Sequence, residues 1–370
     1  MRIVVTGGDG FLGRNLRVRL QELGWDSVVS LGRDATADER RSALRSADFV
    51  YHLAGVNRPN DVSEFDTGNR GLTDTVCDEL RAASRPIPLV YTSSVQAELD
   101  NPYGKSKRAA ELVVERYAVD TGARVHLLRL TNVFGKWCRP NYNSAVATFC
   151  HNIARGLPII VNDASAPLRL VYVDDVVDVL IALLPSGDTR DHEVEVRPIY
   201  STTVGEVAES LRTFAESRES RLTPRVGTGF TRALYATYLS YLAPDAFAYA
   251  LKRHSDPRGV FAEMLKTPDC GQFSFFTAHP GVTRGGHYHH TKSEKFLVVK
   301  GRARFRFRQV VTGETHEMVV SGDQAHVVET VPGWAHDITN VGDEELVVML
   351  WANEIFDPAK PDTVAAPVRG

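Results

Sequence analysis

The 370-residue sequence has few of the features that mark secreted or membrane proteins. Its four cysteines are scattered without a CxxC pair, which favours a reducing compartment. No stretch approaches the roughly 20 uninterrupted apolar residues of a membrane-spanning helix. The chain opens on a strand-like run at residues 2–6, with no signal peptide before it. We therefore expect a cytoplasmic protein that does not cross a membrane.

An excess of charge of one sign is also absent. The 43 Lys and Arg residues nearly cancel the 46 Asp and Glu residues, and no basic block dominates any segment. The sequence therefore lacks the electrostatic footprint of a protein that binds nucleic acid or a membrane surface. A small molecule is the expected partner.

Two domains are expected, because 370 residues exceed the size at which one hydrophobic core keeps growing. In the first half of the chain, β-rich apolar runs alternate with helical segments, which predicts a parallel, doubly wound α/β Rossmann sheet. These runs lie at residues 3–5, 27–31, 49–53, 89–92 and 125–130. A loop over 185–200 and an amphipathic helix over 203–216 are predicted next. From residue 258 onward, short runs with period-two alternation predict an all-β barrel or sandwich. We place the domains at 1–245 and 246–370.

A glycine-rich turn follows the first predicted strand. Residues 7–13 read GGDGFLG, with glycines spaced GxxGxxG at the mouth of a predicted helix. Glycine permits a tight turn and lets backbone N–H groups approach a pyrophosphate, whose charge the helix N-terminus favours. The pattern predicts that a dinucleotide is bound by Gly7, Asp9, Gly10, Phe11, Leu12 and Gly13.

Two further segments complete the predicted dinucleotide site. Arg33 stands at the end of the second strand, where an Asp or Glu would hold the ribose of NAD. An Arg there can pair with a 2′-phosphate, so NADPH is favoured over NADH, with a solvent-exposed Arg as the alternative. Leu53, Ala54 and Gly55 close the next long strand and would let the cofactor lie close to the backbone, unless their small size reflects packing alone.

Tyr103 and Lys107 form the pattern YxxxK, which on a helix places the phenol and the ammonium one turn apart on the same face. A nearby ammonium lowers the pKa of a phenol, so Tyr103 is predicted to donate a proton to a carbonyl oxygen while hydride reaches its carbon. YxxxK alone is common, but Ser93 and Ser94 end the preceding strand at the edge where doubly wound sheets bind ligands. Of the two serines, Ser94 is the preferred catalytic candidate.

On these motifs, residues 1–240 resemble the extended short-chain dehydrogenase/reductase family. Further signatures of that family are RLTNVFG at 129–135 and RLVYVDD at 169–175. The resemblance implies that Asn132 lies near the cofactor and the substrate. Dehydratases of the family carry an Asp-Glu pair after the catalytic hydroxyl, whereas Val95-Gln96 follows Ser94 here, so dehydration is disfavoured.

The C-terminal region resembles the cupin family, with residues 281–301 fitting its first motif, G(x)5HxH(x)4E(x)6G. The second motif is met only in part, by GWAH at 333–336 and by Asn340. His287 and His289, at spacing two, are predicted to share a strand face, where Glu294 and His336 can join them on one ion. Zinc or another divalent metal is implied, and a metal-free barrel with hydrogen-bonded histidines is the alternative. Non-ligand histidines are predicted at His290, His316 and His326.

Residues 256–263, DPRGVFAE, resemble the entry of deoxysugar-ketone epimerases, which implies proton chemistry beside a ketone. Such chemistry needs a base and a group that holds the enolate oxygen. Lys295, next to Glu294, is a candidate acid/base, with a surface lysine as the alternative.

Taken together, the motifs resemble bifunctional enzymes of capsular-polysaccharide synthesis. The resemblance implies a UDP-linked 4-keto-6-deoxy amino sugar, UDP-2-acetamido-2,6-dideoxy-hexos-4-ulose, as substrate. It implies epimerisation at carbon 3 in the cupin domain and NADPH reduction at carbon 4 in the other domain. The product would be UDP-2-acetamido-2,6-dideoxy-L-talose, on the route to UDP-N-acetyl-L-fucosamine for capsule or O-antigen, and a homodimer is expected. Two alternatives stay open: a plain 4-ketosugar reductase with a structural cupin, and a non-catalytic sugar-nucleotide sensor.

Overall fold

The structure is a computed structural model that describes residues 1–184 and 193–368. Of the loop predicted over 185–200, residues 185–192 lie outside the described part. The chain divides into two compact units, the first formed by Met1–Leu211 and Gly229–Ala243 and the second by Arg212–Thr228 and Pro244–Gly370. Among the described residues, no helix has the length and apolar character needed to cross a membrane.

The first unit is built on a five-stranded sheet of order β2-β1-β3-β4-β5, in which every pairing is parallel. A smaller sheet of order β6-β7-β8 lies in the same unit. The strands are β1 (Ile3–Thr6), β2 (Val28–Leu31), β3 (Phe49–His52), β4 (Leu89–Ser94), β5 (Val125–Leu130), β6 (Asn132–Phe134), β7 (Pro167–Tyr172) and β8 (Tyr200–Thr203).

Helices connect these strands, and the predicted helix over 203–216 is present as α8. The helices are α1 (Phe11–Glu22), α2 (Ala37–Arg45), α3 (Ser63–Phe65), α4 (Leu72–Arg81), α5 (Pro102–Thr121), α6 (Ala145–Ile153), α7 (Val173–Ala182), α8 (Val204–Ser220) and α9 (Gly229–Leu239). A π-helix, Asp66–Gly71, joins α3 to α4, and short 3-10 turns occur at Val95–Glu98, Pro244–Ala246 and Gly322–Gln324.

The central sheet of the first unit is apolar on both faces. Along β1, Val4 packs into one hydrophobic cluster while its neighbours Ile3 and Val5 pack into another. Successive side chains of a strand point to opposite faces, so each face of this sheet is covered by its own helical layer. This arrangement confirms the predicted doubly wound Rossmann architecture.

The second unit is antiparallel throughout its described strand pairs. One sheet has the order β16-β13-β18-β11-β10-β9 and the other β15-β14-β17-β12-β19. The strands are β9 (Arg253–Asp256), β10 (Gly259–Thr267), β11 (Gly271–Ala278), β12 (Thr283–Tyr288), β13 (Glu294–Lys300), β14 (Arg302–Gln309), β15 (Thr315–Ser321), β16 (Val327–Glu329), β17 (Trp334–Asn340), β18 (Leu346–Ala352) and β19 (Val364–Ala365).

Alternation along β14 shows how the second unit encloses its core. Ala303, Phe305 and Phe307 are buried, and they pack with residues of the other sheet such as Phe276 and Val348. The arginines between them point away from this core because successive residues of a strand face opposite sides. The predicted all-β C-terminal region is therefore confirmed.

Candidate functional site

The glycine-rich turn brings its backbone into close packing with the loop after β3. Gly7 has φ +69°, and a Cβ there would lie 2.8 Å from backbone atoms of Ala54. A Cβ on Gly13 would lie 2.3 Å from the carbonyl oxygen of Gly7. Helix α1 begins at Phe11 with Gly10 as its N-cap and no side-chain cap. Its first backbone N–H groups, those of Phe11 and Leu12 included, have no carbonyl partner within the helix and could therefore bind the negative charge of a pyrophosphate.

The loops after β2 and β3 lie beside this turn. Asp9 forms an ion pair with Arg17 at 2.8 Å, and a Cβ on Gly32 would lie 2.4 Å from the Asp9 carboxylate. Arg33, which follows Gly32, is exposed to solvent. The Arg33 guanidinium is therefore accessible to a ligand at the carboxyl end of β2.

The loop after β3 lies next to the helix that carries Tyr103 and Lys107. Leu53 and Ala54 are half-buried, and a Cβ on Gly55 would lie 3.8 Å from the Lys107 Nζ and 2.8 Å from the Asn69 Oδ1. A larger residue at position 55 would therefore meet the amide of Asn69. This closeness places the predicted cofactor segment next to the predicted catalytic lysine.

Helix α5 carries Tyr103 in its first turn because the sequence before it is a strong start signal. The Asn101 side chain caps the helix by accepting from the Gly104 N–H at 2.7 Å, and Pro102 occupies the first helical position. Ser94 ends β4, and its hydroxyl accepts from the Gln96 N–H at 3.2 Å. The Ser94 side chain also interacts with the Tyr103 phenol, so the two residues meet at the carboxyl edge of the sheet.

Lys107 is buried one turn further along α5. Its Nζ donates to the carbonyl oxygen of Thr92 at 2.7 Å and lies 4.4 Å from the centre of the Tyr91 ring. Burial lowers the pKa of Lys107 to about 7, while the negative charge of Glu111 acts in the opposite direction. The lysine therefore titrates near neutral pH.

The expected lowering of the Tyr103 pKa is wrong. Burial raises the pKa of this phenol, and the interaction with Ser94 only partly opposes the rise. The physical reason is that the phenol is largely removed from water, while the Lys107 ammonium is directed at Thr92 and Tyr91. Tyr103 is consequently held as a neutral proton donor.

One polar cluster near this helix was missed by the sequence analysis. The buried Asn69 amide donates to the Ser106 hydroxyl at 2.9 Å and exchanges hydrogen bonds with the backbone of Val56, also at 2.9 Å. Ser106 in turn donates to the carbonyl oxygen of Tyr103 at 2.7 Å. Asn69 lies in the π-helix, which is a rare type of turn often found at functional sites. The 3.6-residue period of an α-helix in the sequence does not predict such a turn.

Asn132 lies at the same edge of the main sheet. It begins β6, two residues after the end of β5, where Leu130 pairs with Ser94. Its side chain is exposed. Asn132 is therefore available to a ligand bound in the crevice above β4 and β5.

The second unit gathers the four predicted metal ligands inside its barrel. His287, His289, Glu294 and His336 place their ligand atoms within 4.8 Å of one another. His287 and His336 face each other on the paired strands β12 and β17, with ring centres 4.6 Å apart. Glu294 begins β13 in the opposite sheet, so the cluster lies between the two sheets.

The charges in this cluster suit a divalent cation. Burial opposes ionisation of Glu294, but His289, His336 and Lys292 outweigh it and hold the pKa of that carboxyl well below its usual range. Burial, reinforced by His336, lowers the pKa of His287 to about 4, so this imidazole is neutral near pH 7. A carboxylate and neutral imidazoles are the forms that bind zinc.

An unpartnered buried atom supports the same interpretation. The His336 Nε2 makes no hydrogen bond within the described residues, although it lies 3.5 Å from the Glu294 Oε2. The His289 Nε2 lies 3.3 Å from the same oxygen. These nitrogens converge on one carboxylate, which is the arrangement that a shared cation would complete.

The structure corrects the assignment of Lys295 as an acid/base. Lys295 follows Glu294 on β13 and therefore points to the opposite side of the strand, where it is half-exposed and paired with Glu329. The lysine that reaches the cluster is Lys292, which is buried and lies 3.0 Å from the Glu294 Oε1. Lys292 lies in the turn before β13, outside the strand pattern that the sequence analysis followed.

Comparison with known proteins bears on both units. Residues 3–196 match the NAD dependent epimerase/dehydratase family, and residues 254–364 match the polysaccharide biosynthesis C-terminal domain. The chain is 56% identical over 368 residues to a UDP-2-acetamido-2,6-beta-L-arabino-hexul-4-ose reductase of Pseudomonas aeruginosa, with 100% of this chain and 99% of the relative covered.

Solved structures resemble the chain over its full length or over part of it. The capsular polysaccharide assembling protein CapF of Staphylococcus aureus matches with a TM-score of 0.93 and 44% identity, covering 100% of both chains. A UDP-glucose 4-epimerase of Thermus thermophilus in complex with NAD shares only the fold, at 20% identity and a TM-score of 0.54 over 65% of this chain and 99% of that one. The match over 3–196 implies a nicotinamide cofactor, and the chain belongs to the NAD dependent epimerase/dehydratase family.

Proposed function

We propose that this protein is a bifunctional nucleotide-sugar enzyme. Its second unit epimerises carbon 3 of UDP-2-acetamido-2,6-dideoxy-hexos-4-ulose, and its first unit reduces the 4-ketone with NADPH. The product is UDP-2-acetamido-2,6-dideoxy-L-talose, a precursor of UDP-N-acetyl-L-fucosamine for capsule or O-antigen. The observation that carries the proposal is that one chain holds both a Ser-Tyr-Lys group at the sheet edge and a largely buried His-His-Glu-His cluster.

In the first unit, Tyr103 acts as the proton donor. NADPH, when bound, supplies the hydride that reduces carbon 4. Tyr103 protonates the oxygen left at that carbon, which its raised pKa allows because the phenol stays protonated until the oxygen becomes basic. Ser94 orients the phenol, and Lys107 lies one turn further along α5, held by the Thr92 carbonyl oxygen. Arg33, exposed at the end of β2, supports NADPH over NADH by pairing with the 2′-phosphate.

In the second unit, the reaction is a proton exchange. A zinc or similar divalent ion held by His287, His289, Glu294 and His336 would supply Lewis-acid stabilisation of negative charge on the ketone oxygen. Lys292 keeps Glu294 ionised through its contact at 3.0 Å. A base accepts the proton of carbon 3 on one face, the electron pair passes to the ketone oxygen as an enolate, and an acid that exchanges with water returns a proton to the other face of carbon 3. The substrate thereby changes configuration without changing composition.

The order of the two reactions follows from their chemistry. The hydrogen on carbon 3 is acidic only while carbon 4 is a ketone, because the ketone delocalises the charge of the enolate. Reduction at carbon 4 therefore comes second. We further propose that the chain forms a homodimer, which light scattering of the purified protein would test.

Product analysis tests the proposal directly. The full chain is incubated with the ketosugar and NADPH, and the product is examined by NMR. Oxidation of NADPH would support the reductase activity, and the L-talo configuration in the product would support the epimerase activity. A reduced sugar with the original configuration at carbon 3 would indicate a plain reductase, and no turnover would indicate a sensor.

A further inference from the structure

The last described residues of the chain are part of the barrel. We name residues 362–368 the C-terminal segment. Its strand β19 pairs with β12, with Ala365 opposite His287. The Ala366 N–H donates to the Gly286 carbonyl oxygen at 2.9 Å, and the Arg308 guanidinium donates to the Pro367 carbonyl oxygen at 2.8 Å. The C-terminal segment therefore lies directly along the strand that carries a candidate metal ligand.

Asp362, the first residue of this segment, holds the turn between two other candidate ligands. Its carboxylate accepts hydrogen bonds from three consecutive backbone N–H groups, those of His290 at 2.9 Å, Thr291 at 2.7 Å and Lys292 at 2.8 Å. The Thr291 hydroxyl adds a fourth bond at 3.0 Å. This turn connects His289 to Glu294, so one distant carboxylate fixes the backbone on which both ligands depend.

The backbone of Asp362 acts on His289 itself. The Asp362 carbonyl oxygen accepts a hydrogen bond from the His289 Nδ1. A proton on Nδ1 leaves the Nε2 lone pair free, and this nitrogen lies 3.3 Å from the Glu294 Oε2. Metal-binding histidines are commonly oriented in this way by a carbonyl or carboxylate on the other ring nitrogen.

We propose that Asp362 is a positioning residue of the candidate metal centre. It orients the His289 ring and shapes the turn from His289 to Glu294, so part of the metal affinity is set by a residue about 70 positions away in the sequence. The inference rests on the metal site of the proposed function. It adds a residue that contacts the ligands without contacting the ion.

The test is the zinc affinity of the full chain carrying Asp362→Asn. The asparagine keeps the size of the side chain but turns an N–H donor toward the N–H groups of the turn. Loss of such a supporting partner typically weakens metal binding 10- to 100-fold, and a zinc dissociation constant from chelator competition would show it. The matched control is Asp357→Asn, an exposed carboxylate that accepts from the Ala359 N–H of its own turn at 2.9 Å. Its zinc affinity should stay within about twofold of the unmodified chain.

A spectroscopic readout separates positioning from a general loss of stability. Cobalt(II) replaces zinc, and its visible d–d bands report the ligand geometry. We expect the bands to shift in Asp362→Asn and to stay unchanged in Asp357→Asn. Unchanged affinity together with unchanged bands in Asp362→Asn would overturn the inference while leaving the metal site intact. An unmodified chain that binds neither ion would overturn the metal site and the inference together.

A milder variant covers the case in which Asp362→Asn does not fold, as judged by circular dichroism of the metal-free chain. Thr291→Val removes only the hydroxyl bond to Asp362 and keeps the backbone bonds. We expect zinc binding to weaken in the same direction but by less than for Asp362→Asn. Unchanged zinc affinity and unchanged cobalt bands in a folded Thr291→Val chain would contradict the proposal.

Discussion

Replacing Tyr103 with Phe tests the reductase chemistry by removing a single oxygen atom, that of the phenol. The ring remains, and with it the contact to Phe65 at 5.5 Å between ring centres, so the fold should be kept. The proton donor is lost. General acid catalysis contributes about 10²- to 10⁴-fold, which corresponds to about 2.7–5.4 kcal/mol at 1.36 kcal/mol per tenfold change. We expect kcat for ketosugar-dependent NADPH oxidation to fall by that factor, with little change in the melting temperature.

A second tyrosine on the same helix provides the control. The buried Tyr117 hydroxyl donates to the Ile87 carbonyl oxygen at 2.8 Å and accepts from the Ile87 N–H at 3.2 Å. Tyr117→Phe leaves these groups unpaired and should cost about 1–3 kcal/mol of stability, with kcat kept within about twofold. Turnover by Tyr103→Phe at the rate of the unmodified enzyme would refute the assignment of the proton donor.

Three further predictions concern the cofactor, the metal and the lysines. Arg33→Ala should raise KM for NADPH while leaving KM for NADH nearly unchanged, in steady-state kinetics with each cofactor; equal changes would contradict 2′-phosphate recognition. Zinc binding should weaken as the pH falls toward the His287 pKa of about 4, because a protonated imidazole is no ligand, and titrations between pH 7 and 4 would show it. Lys292→Ala should slow proton exchange at carbon 3, because Glu294 loses the ammonium at 3.0 Å that helps to keep it ionised, whereas Lys295→Ala should leave the exchange rate within about twofold, since Lys295 lies on the outer face of β13.

Much of the fold and of both candidate sites could be predicted from short-range patterns. The spacing of Gly7, Gly10 and Gly13 predicted a tight turn, and in the structure a Cβ on Gly10 or Gly13 would meet the carbonyl oxygen of Gly7 in that same turn. The period-two alternation at 302–308 predicted a strand with one buried face. The spacing of two between His287 and His289 likewise predicted that both belong to one cluster, but His289 lies just beyond the end of β12 and not on the strand.

Long-range contacts explain what the sequence analysis missed. Asp362 meets the His289 turn only through the pairing of β19 with β12, and no local pattern signals that pairing. Asn69 lies in a π-helical turn, which helical periodicity does not reveal. The error at Lys295, by contrast, could have been avoided, because a residue next to an inward-facing Glu294 on a strand must face outward.

The pKa of Tyr103 illustrates a different limit. The spacing of Tyr103 and Lys107 suggested a charge effect, whereas burial decided the direction of the shift. Burial depends on what packs over the phenol, such as Phe65 from α3. Sequence spacing fixes which side chains are neighbours on a helix, but the surrounding elements determine how much water reaches them.

Deuterium exchange at carbon 3 tests the central claim most directly. The full chain carrying Tyr103→Phe, loaded with zinc, is incubated with the ketosugar in D₂O without NADPH, and the sugar is recovered for NMR. The account predicts deuterium at carbon 3, and none when His336→Ala is added to remove a metal ligand. Absence of deuterium with the zinc-loaded Tyr103→Phe chain, whose ligands are all intact, would contradict the two-site mechanism.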